Sequence, residues 1–157
     1  MFVLLRQLHS TRKSARVTRP ARRLSLAVRH VDAGSCNACE HELGATANLF
    51  YDLSCHGITI TASPRHADVL LITGAITRRM VTPLLSAYRA MPEPRLVAAL
   101  GNCAMGLGVL GDDRDLAGPL EQLLPVDIRI PGCPPTPDQI IQALVSSNLA
   151  GQAITSA

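Results

Sequence analysis

Aromatic residues make up only 3% of this chain, which leaves little with which to stack bases and argues against nucleic acid as a partner. Long hydrophobic runs are missing too. Runs such as Val69 to Ile72 and Leu96 to Leu100 fall far short of the ~20 residues a membrane-spanning helix requires, so the chain is not expected to cross a bilayer by itself. Nor is there a secretory signal core: the apolar stretch Phe2 to Leu5 is too short and has no small-residue cleavage site behind it. Without that signal, the five cysteines are not expected to form a disulfide framework, and reduced thiols point to metal binding or redox chemistry.

Acidic residues are absent from the first 31 positions, which hold Arg6, Arg12, Lys13, Arg16, Arg19, Arg22, Arg23 and Arg29. From Asp32 onward, 7 of the 15 basic residues face all 12 acidic ones, a net charge of −5. A basic arm therefore precedes an acidic domain. Such an arm suits anionic lipid or an acidic partner protein, is similar in composition to an organelle transit peptide, and is equally a solvated tail. With 157 residues, 47% of them hydrophobic, the chain can bury one α/β core. The expected division is an arm over 1–25, a domain over 26–150 and a tail over 151–157.

Leu26-Ala27-Val28 to Val31 reads as a first strand, ended by Asp32-Ala33-Gly34-Ser35, with Cys36 and Cys39 in the loop behind it. Glu40 to Tyr51 is predicted as a helix, with Leu43, Ala47 and Phe50 at helical spacing. Strands follow at Ile58–Thr61, at Asp68–Thr73 and, after a helix from Pro83 to Ala90 and the breaker Met91-Pro92-Glu93-Pro94, at Arg95–Leu100. A Gly-rich loop carries Cys103. A short helix near Leu116 to Leu124 leads to a last strand, Val126–Ile130, which runs into Pro131-Gly132-Cys133-Pro134-Pro135. A closing helix begins at Pro137-Asp138 with Ile140, Ile141, Leu144 and Val145 on one face. Alternating strands and helices imply a flavodoxin-like, doubly wound, mostly parallel sheet, whose ligands bind beyond the carboxyl ends of the strands. Each of Cys36, Cys39, Cys103 and Cys133 falls in such a loop.

A cubane iron–sulfur cluster needs four thiolates converging from different directions, and two sulfurs separated by two residues can serve neighbouring irons from one loop. Cys36-Asn37-Ala38-Cys39 has that spacing. Gly34, Gly101, Gly106 and Gly108 allow the backbone to approach closely and aim N–H groups at the cluster. Pro131, Pro134 and Pro135 stiffen the loop around Cys133. Two other readings of the thiols stand beside this one. A structural zinc site is the first, although such sites usually pair two Cys-x-x-Cys knuckles and this chain has one; a thioredoxin-like dithiol is the second, and it leaves Cys103 and Cys133 unexplained. Cys55 has no motif and reads as a buried small hydrophobe.

Glu40, directly after Cys39, is expected either to couple cluster reduction to proton uptake or simply to charge the start of a helix. A Glu40→Gln variant whose cluster potential keeps the pH dependence of the wild type excludes the first role. His30, His41, His56 and His66 lack metal-ligand spacing, as does His9 in the arm, and each is expected at the surface or satisfied by a neighbour. Arg78 and Arg79 belong to the same sheet edge, either offsetting cluster charge or facing solvent. There is no Ser-His-Asp set, phosphate loop or paired acid in a cleft, so catalysis must be shared with a partner.

Gly34-Ser35-Cys36-Asn37-Ala38-Cys39-Glu40, the run Ser63 to Gly74, Met91-Pro92-Glu93-Pro94 and the run Pro125 to Pro135 closely resemble the B-type, 20 kDa subunit of NADH-quinone oxidoreductase. The likeness is closer still to the small subunit of membrane-bound [NiFe] hydrogenases of the formate hydrogenlyase and energy-converting type, and it runs from about Val28 to Leu144. It implies a flavodoxin-like fold and one [4Fe–4S] cluster on Cys36, Cys39, Cys103 and Cys133. It also implies a large catalytic subunit, a ferredoxin-like iron–sulfur subunit and integral-membrane subunits as partners, with the chain peripheral on the cytoplasmic side of the membrane. In the quinone-reducing branch the first two cysteines are typically adjacent; here Asn37 and Ala38 separate them, which favours the hydrogenase-like branch.

Overall fold

The computed structural model describes residues 25–109 and 114–155; most of the basic arm lies outside the described residues. Five strands form one all-parallel sheet: β1 (Leu26–Asp32), β2 (Ile58–Ile60), β3 (Val69–Thr73), β4 (Leu96–Leu100) and β5 (Ile128–Ile130), in the order β2-β1-β3-β4-β5. This is the flavodoxin-like order, which reverses direction between β1 and β3. Helices α1 (Ala38–Ala45) and α3 (Pro137–Thr155) cover one face and α2 (Arg78–Ala90) the other.

Strand periodicity sorts the core into two layers. Val69 and Leu71 of β3 join Val28, Leu100 and Ile130 on the face that receives Leu43 of α1 and Ile140, Ile141 and Leu144 of α3. Leu70 and Ile72 point the other way, with Val97 and Ala99, onto Leu84 of α2 and Leu120. All five residues of β3 are buried, as expected of a central strand in a sheet covered on both sides. Each fully buried Leu or Ile contributes on the order of 1.5–3 kcal/mol.

Several elements differ from the sequence reading. Helix α1 stops at Ala45 rather than reaching Tyr51. Buried Thr46 turns its hydroxyl back onto the Leu43 carbonyl, and Asn48 Oδ1 then accepts the N–H groups of Phe50 and Tyr51. These side chains offer the backbone an alternative to the helical ladder, and they leave Leu49 (101%) and Phe50 (85%) fully or almost fully exposed. Of the three predicted inward residues, only Leu43 is buried. Helix α2 starts at Arg78, five residues before Pro83. The Arg78 N–H is taken by the Asp115 carbonyl, a long-range partner that sequence spacing does not reveal, and Pro83 is tolerated on the exposed side of the helix. Near Leu116 to Leu124 only a 3-10 turn forms, at Leu120–Gln122. Cys55 is exposed rather than buried. It stands on the single 3-10 turn Leu53–His56, where only Leu53 faces inward, and its thiol donates to Asp52 Oδ2 (2.9 Å). Helix α3 continues through Thr155, across the boundary expected between 150 and 151.

Candidate metal centre

Four loops leave the carboxyl ends of β1, β3, β4 and β5 at one edge of the sheet. The first turns sharply because Asp32 Oδ1 accepts from the N–H groups of Gly34 (2.8 Å) and Ser35 (2.9 Å). Ser35 Oγ in turn accepts from Asn37 N–H (3.1 Å). Asn37 sits at φ 67°, and α1 begins directly after it, so Cys36 lies in the loop and Cys39 in the first helical turn. The β3 loop packs tightly beneath: a Cβ on Gly74 would stand 2.6 Å from Gly34 C and Ser35 N.

The loops after β4 and β5 are bonded to each other. Gly101 N–H donates to the Ile130 carbonyl (2.8 Å) and Asn102 N–H to the Gly132 carbonyl (2.8 Å). Gly101 also ties this pair of loops to α1. It adopts φ +86°, a conformation open to glycine, and a Cβ there would lie 2.6 Å from Cys39 Sγ. A Cβ on Gly108 would lie 2.5 Å from Cys103 Sγ. Of the four glycines singled out from sequence, these two abut sulfur. Gly34 packs against Thr77 and the Ala75 carbonyl, and Gly106 against Pro119.

The thiols sense one another electrostatically. Burial first, and after it Glu40, Cys103, Cys36 and Cys133, together push the Cys39 thiol up to about 11. Cys103 is raised by burial and then by Cys133, Cys36 and Glu40. Cys36, Cys103 and Cys133 thus bear on Cys39 through charge, and Cys36 and Cys133 on Cys103. Among the described residues, no three His, Cys, Asp or Glu side chains converge closely enough to hold a single metal ion. Four thiols from three loops, with glycine where a side chain would displace sulfur, are a donor set suited to a polynuclear iron–sulfur group.

Glu40 lies behind this edge. Both carboxylate oxygens are buried and without a hydrogen-bond partner, and His30 Nε2 is 3.8 Å from Oε1. His30 also pairs with Thr73 Oγ1 (2.8 Å) across the β1–β3 register, so it is a satisfied histidine, as expected. Glu40 and His30 stand in a groove of about 570 Å³ with Leu43, Leu53 and Ile60. Burial holds the His30 pKa below its usual 6.5, against the opposing pull of Glu40 and Asp32. A histidine whose pKa is depressed in the fold adds stability above pH 6.5 that is lost as pH falls through the folded value. Lowering the pH from about 7.5 to about 5.5 should therefore reduce the urea midpoint more in the wild type than in His30→Gln. His41, His56 and His66 are exposed. Arg78 and Arg79, both exposed, form the first turn of α2, and Arg78 Nε donates to the Arg114 carbonyl (2.7 Å).

Residues 36–147 match the family model described as NADH ubiquinone oxidoreductase, 20 Kd subunit. Formate hydrogenlyase subunit 7 of Escherichia coli is 44% identical over 110 residues, 70% of this chain and 43% of that protein. The B-type subunit of NADH-quinone oxidoreductase from Citrifermentans bemidjiense is 40% identical over 107 residues, 68% of this chain and 62% of that protein. This chain thus spans less than two thirds of either relative. Among solved structures, a chain of the membrane-bound sulfane sulfur reductase, an archaeal respiratory membrane complex, superposes with a TM-score of 0.70 at 31% identity, covering 85% of this chain and 75% of that one. The chain belongs to the family of the NADH ubiquinone oxidoreductase 20 kDa subunit.

Proposed function

We propose that this chain carries one [4Fe–4S] cluster on Cys36, Cys39, Cys103 and Cys133 and serves as an electron-transfer subunit next to the large catalytic subunit of a membrane-bound, hydrogenase-like complex. The observation that carries the reading is that Cys36, Cys103 and Cys133 stand on loops from the carboxyl ends of β1, β4 and β5, with Gly101 against Cys39 Sγ and Gly108 against Cys103 Sγ. The cluster supplies a one-electron redox couple when bound. The protein's part is to hold the thiolates, keep water away from Cys39 and direct electrons across a short path. Gly101 and Gly108 keep the space beside two sulfurs free of side chains.

The partner assignment draws on surface chemistry as well as on kinship. Leu107 (72% exposed) and Val109 (91%) sit on the loop that carries Cys103. Exposed apolar side chains gathered near a redox site suit burial against a large partner. No helix among the described residues is long and apolar enough to cross a membrane, so membrane association would come through partner subunits, with this chain peripheral on the cytoplasmic side. The 44% identity with the formate hydrogenlyase protein and the spacing of Cys36 and Cys39 favour the hydrogenase-like setting. The 40% identity with the B-type subunit of NADH-quinone oxidoreductase supports quinone reduction as the second reading.

Anaerobic purification of this chain tests the cluster. A brown protein with broad visible absorption and about four irons per chain supports it; a colourless protein with one zinc makes the chain a zinc-stabilised scaffold instead. Cysteine pairs able to bind nickel in the large subunit would separate the hydrogenase setting from the quinone-reducing one.

A further inference from the structure

Cys103 and Cys133 stand on loops that leave adjacent parallel strands, and the sheet ladder does not by itself govern two such loops once the strands end. Here the ladder continues. Beyond the Gly101 to Ile130 bond, Asn102 N–H donates to the Gly132 carbonyl (2.8 Å), and Gly132 N–H donates back to the Asn102 side-chain oxygen Oδ1 (2.9 Å). The Asn102 carbonyl also accepts from Met105 N–H (3.2 Å) and Leu107 N–H (2.8 Å), which closes the turn around Cys103. Asn102 immediately precedes Cys103, and Gly132 immediately precedes Cys133. One residue thus fixes both the turn of one loop and its distance from the other.

We propose that Asn102 is a positioning residue for the cluster, its carboxamide oxygen clamping the Cys103 and Cys133 loops so that their sulfurs keep one separation. The inference rests on the ligand assignment above. A hydrogen-bond acceptor at this atom is the requirement: aspartate keeps the acceptor and adds a charge, while alanine leaves the part-buried Gly132 N–H without its partner.

The complex purified anaerobically with wild-type chain, Asn102→Ala or Asn102→Asp tests this by three readouts: bleaching by an iron chelator, the linewidth of the reduced-cluster paramagnetic resonance signal, and hydrogen exchange at the Gly132 amide. Asn102→Ala should bleach roughly fivefold faster, the factor corresponding to one hydrogen bond of about 1 kcal/mol. Its signal should broaden, and Gly132 should lose exchange protection. Asn102→Asp should bleach at close to the wild-type rate with Gly132 protected, while its potential falls because of the added negative charge. An Asn102→Ala complex that matches wild type in bleaching and linewidth overturns the proposal, as does an Asn102→Asp complex that bleaches as fast as Asn102→Ala. If Asn102→Ala does not assemble, the bleaching of Asn102→Asp decides alone, slow in support and fast against. A wild-type complex whose iron is wholly accounted for by its partner subunits overturns the ligand assignment and this inference with it, whereas iron on this chain together with unchanged behaviour of Asn102→Ala overturns this inference alone.

Discussion

Serine at position 39 should leave the complex assembled but without an intact four-iron cluster in this chain, and turnover that depends on electron transfer should fall by at least about 100-fold. Cys39 is the most demanding of the four thiols to replace. It occupies the first turn of α1, where the backbone fixes its direction, and its titration responds to each of the other three cysteines. Gly101 leaves its sulfur an approach that no other residue type permits without displacement. A serine hydroxyl is smaller than the thiol and remains protonated where a thiolate would form, so it is a poor ligand to iron. The iron content of the anaerobically purified complex should fall, relative to wild type, by at least one atom per copy of this chain. Cys55→Ser is the control: the Cys55 thiol is exposed, bonded to Asp52, and should be replaceable with iron content unchanged. Full iron content in Cys39→Ser would remove that residue from the ligand set.

The sheet was legible because its strands are short apolar runs separated by turn residues, and because a continuous run such as Val69–Thr73 has few ways to be satisfied other than between two layers. The Cys-x-x-Cys spacing and the position of each cysteine behind a strand were also legible. Helix ends were not, since they depend on partners distant in sequence. The carbonyl of Asp115 accepts the first N–H of α2, and a buried threonine hydroxyl marks the end of α1. Periodicity alone carries α1 on to Phe50, where the local hydrogen bonds of Asn48 prevail. The Asn102 clamp was invisible for a related reason: it requires the β4–β5 register, and nothing in the run Gly101-Asn102-Cys103 distinguishes a structural asparagine from a solvated one. Glu40 stands out in the sequence for its neighbour Cys39, but its approach to His30 and the pairing of His30 with Thr73 follow only once β1 and β3 are aligned.

Gly108→Ala should give a folded chain that loads its cluster poorly. The backbone at Gly108 is not in the left-handed region, so alanine is not excluded by conformation; the obstacle is contact. The new methyl would stand 2.5 Å from Cys103 Sγ, 2.9 Å from Cys103 Cα and 3.2 Å from Cys103 Cβ. Rotating the thiol relieves the first contact and not the second, so the loop itself must move, and Cys103 moves with it. Overpacking of this kind costs about 1–3 kcal/mol, which weakens cluster retention by roughly 5- to 150-fold if the strain falls on the bound state. Gly106→Ala separates sulfur from mere loop strain. It lies two residues away, at φ +73°, and its Cβ would strike the Pro119 ring at 2.6 Å rather than any cysteine, so it should lower the denaturation midpoint with less effect on iron content per folded chain. Iron stoichiometry and chelator bleaching, measured beside thermal unfolding, compare the two. If Gly108→Ala keeps wild-type iron and bleaching while Gly106→Ala does not, the space beside Cys103 is not the space the cluster needs, and the sulfur at that position belongs to some other arrangement of the loop.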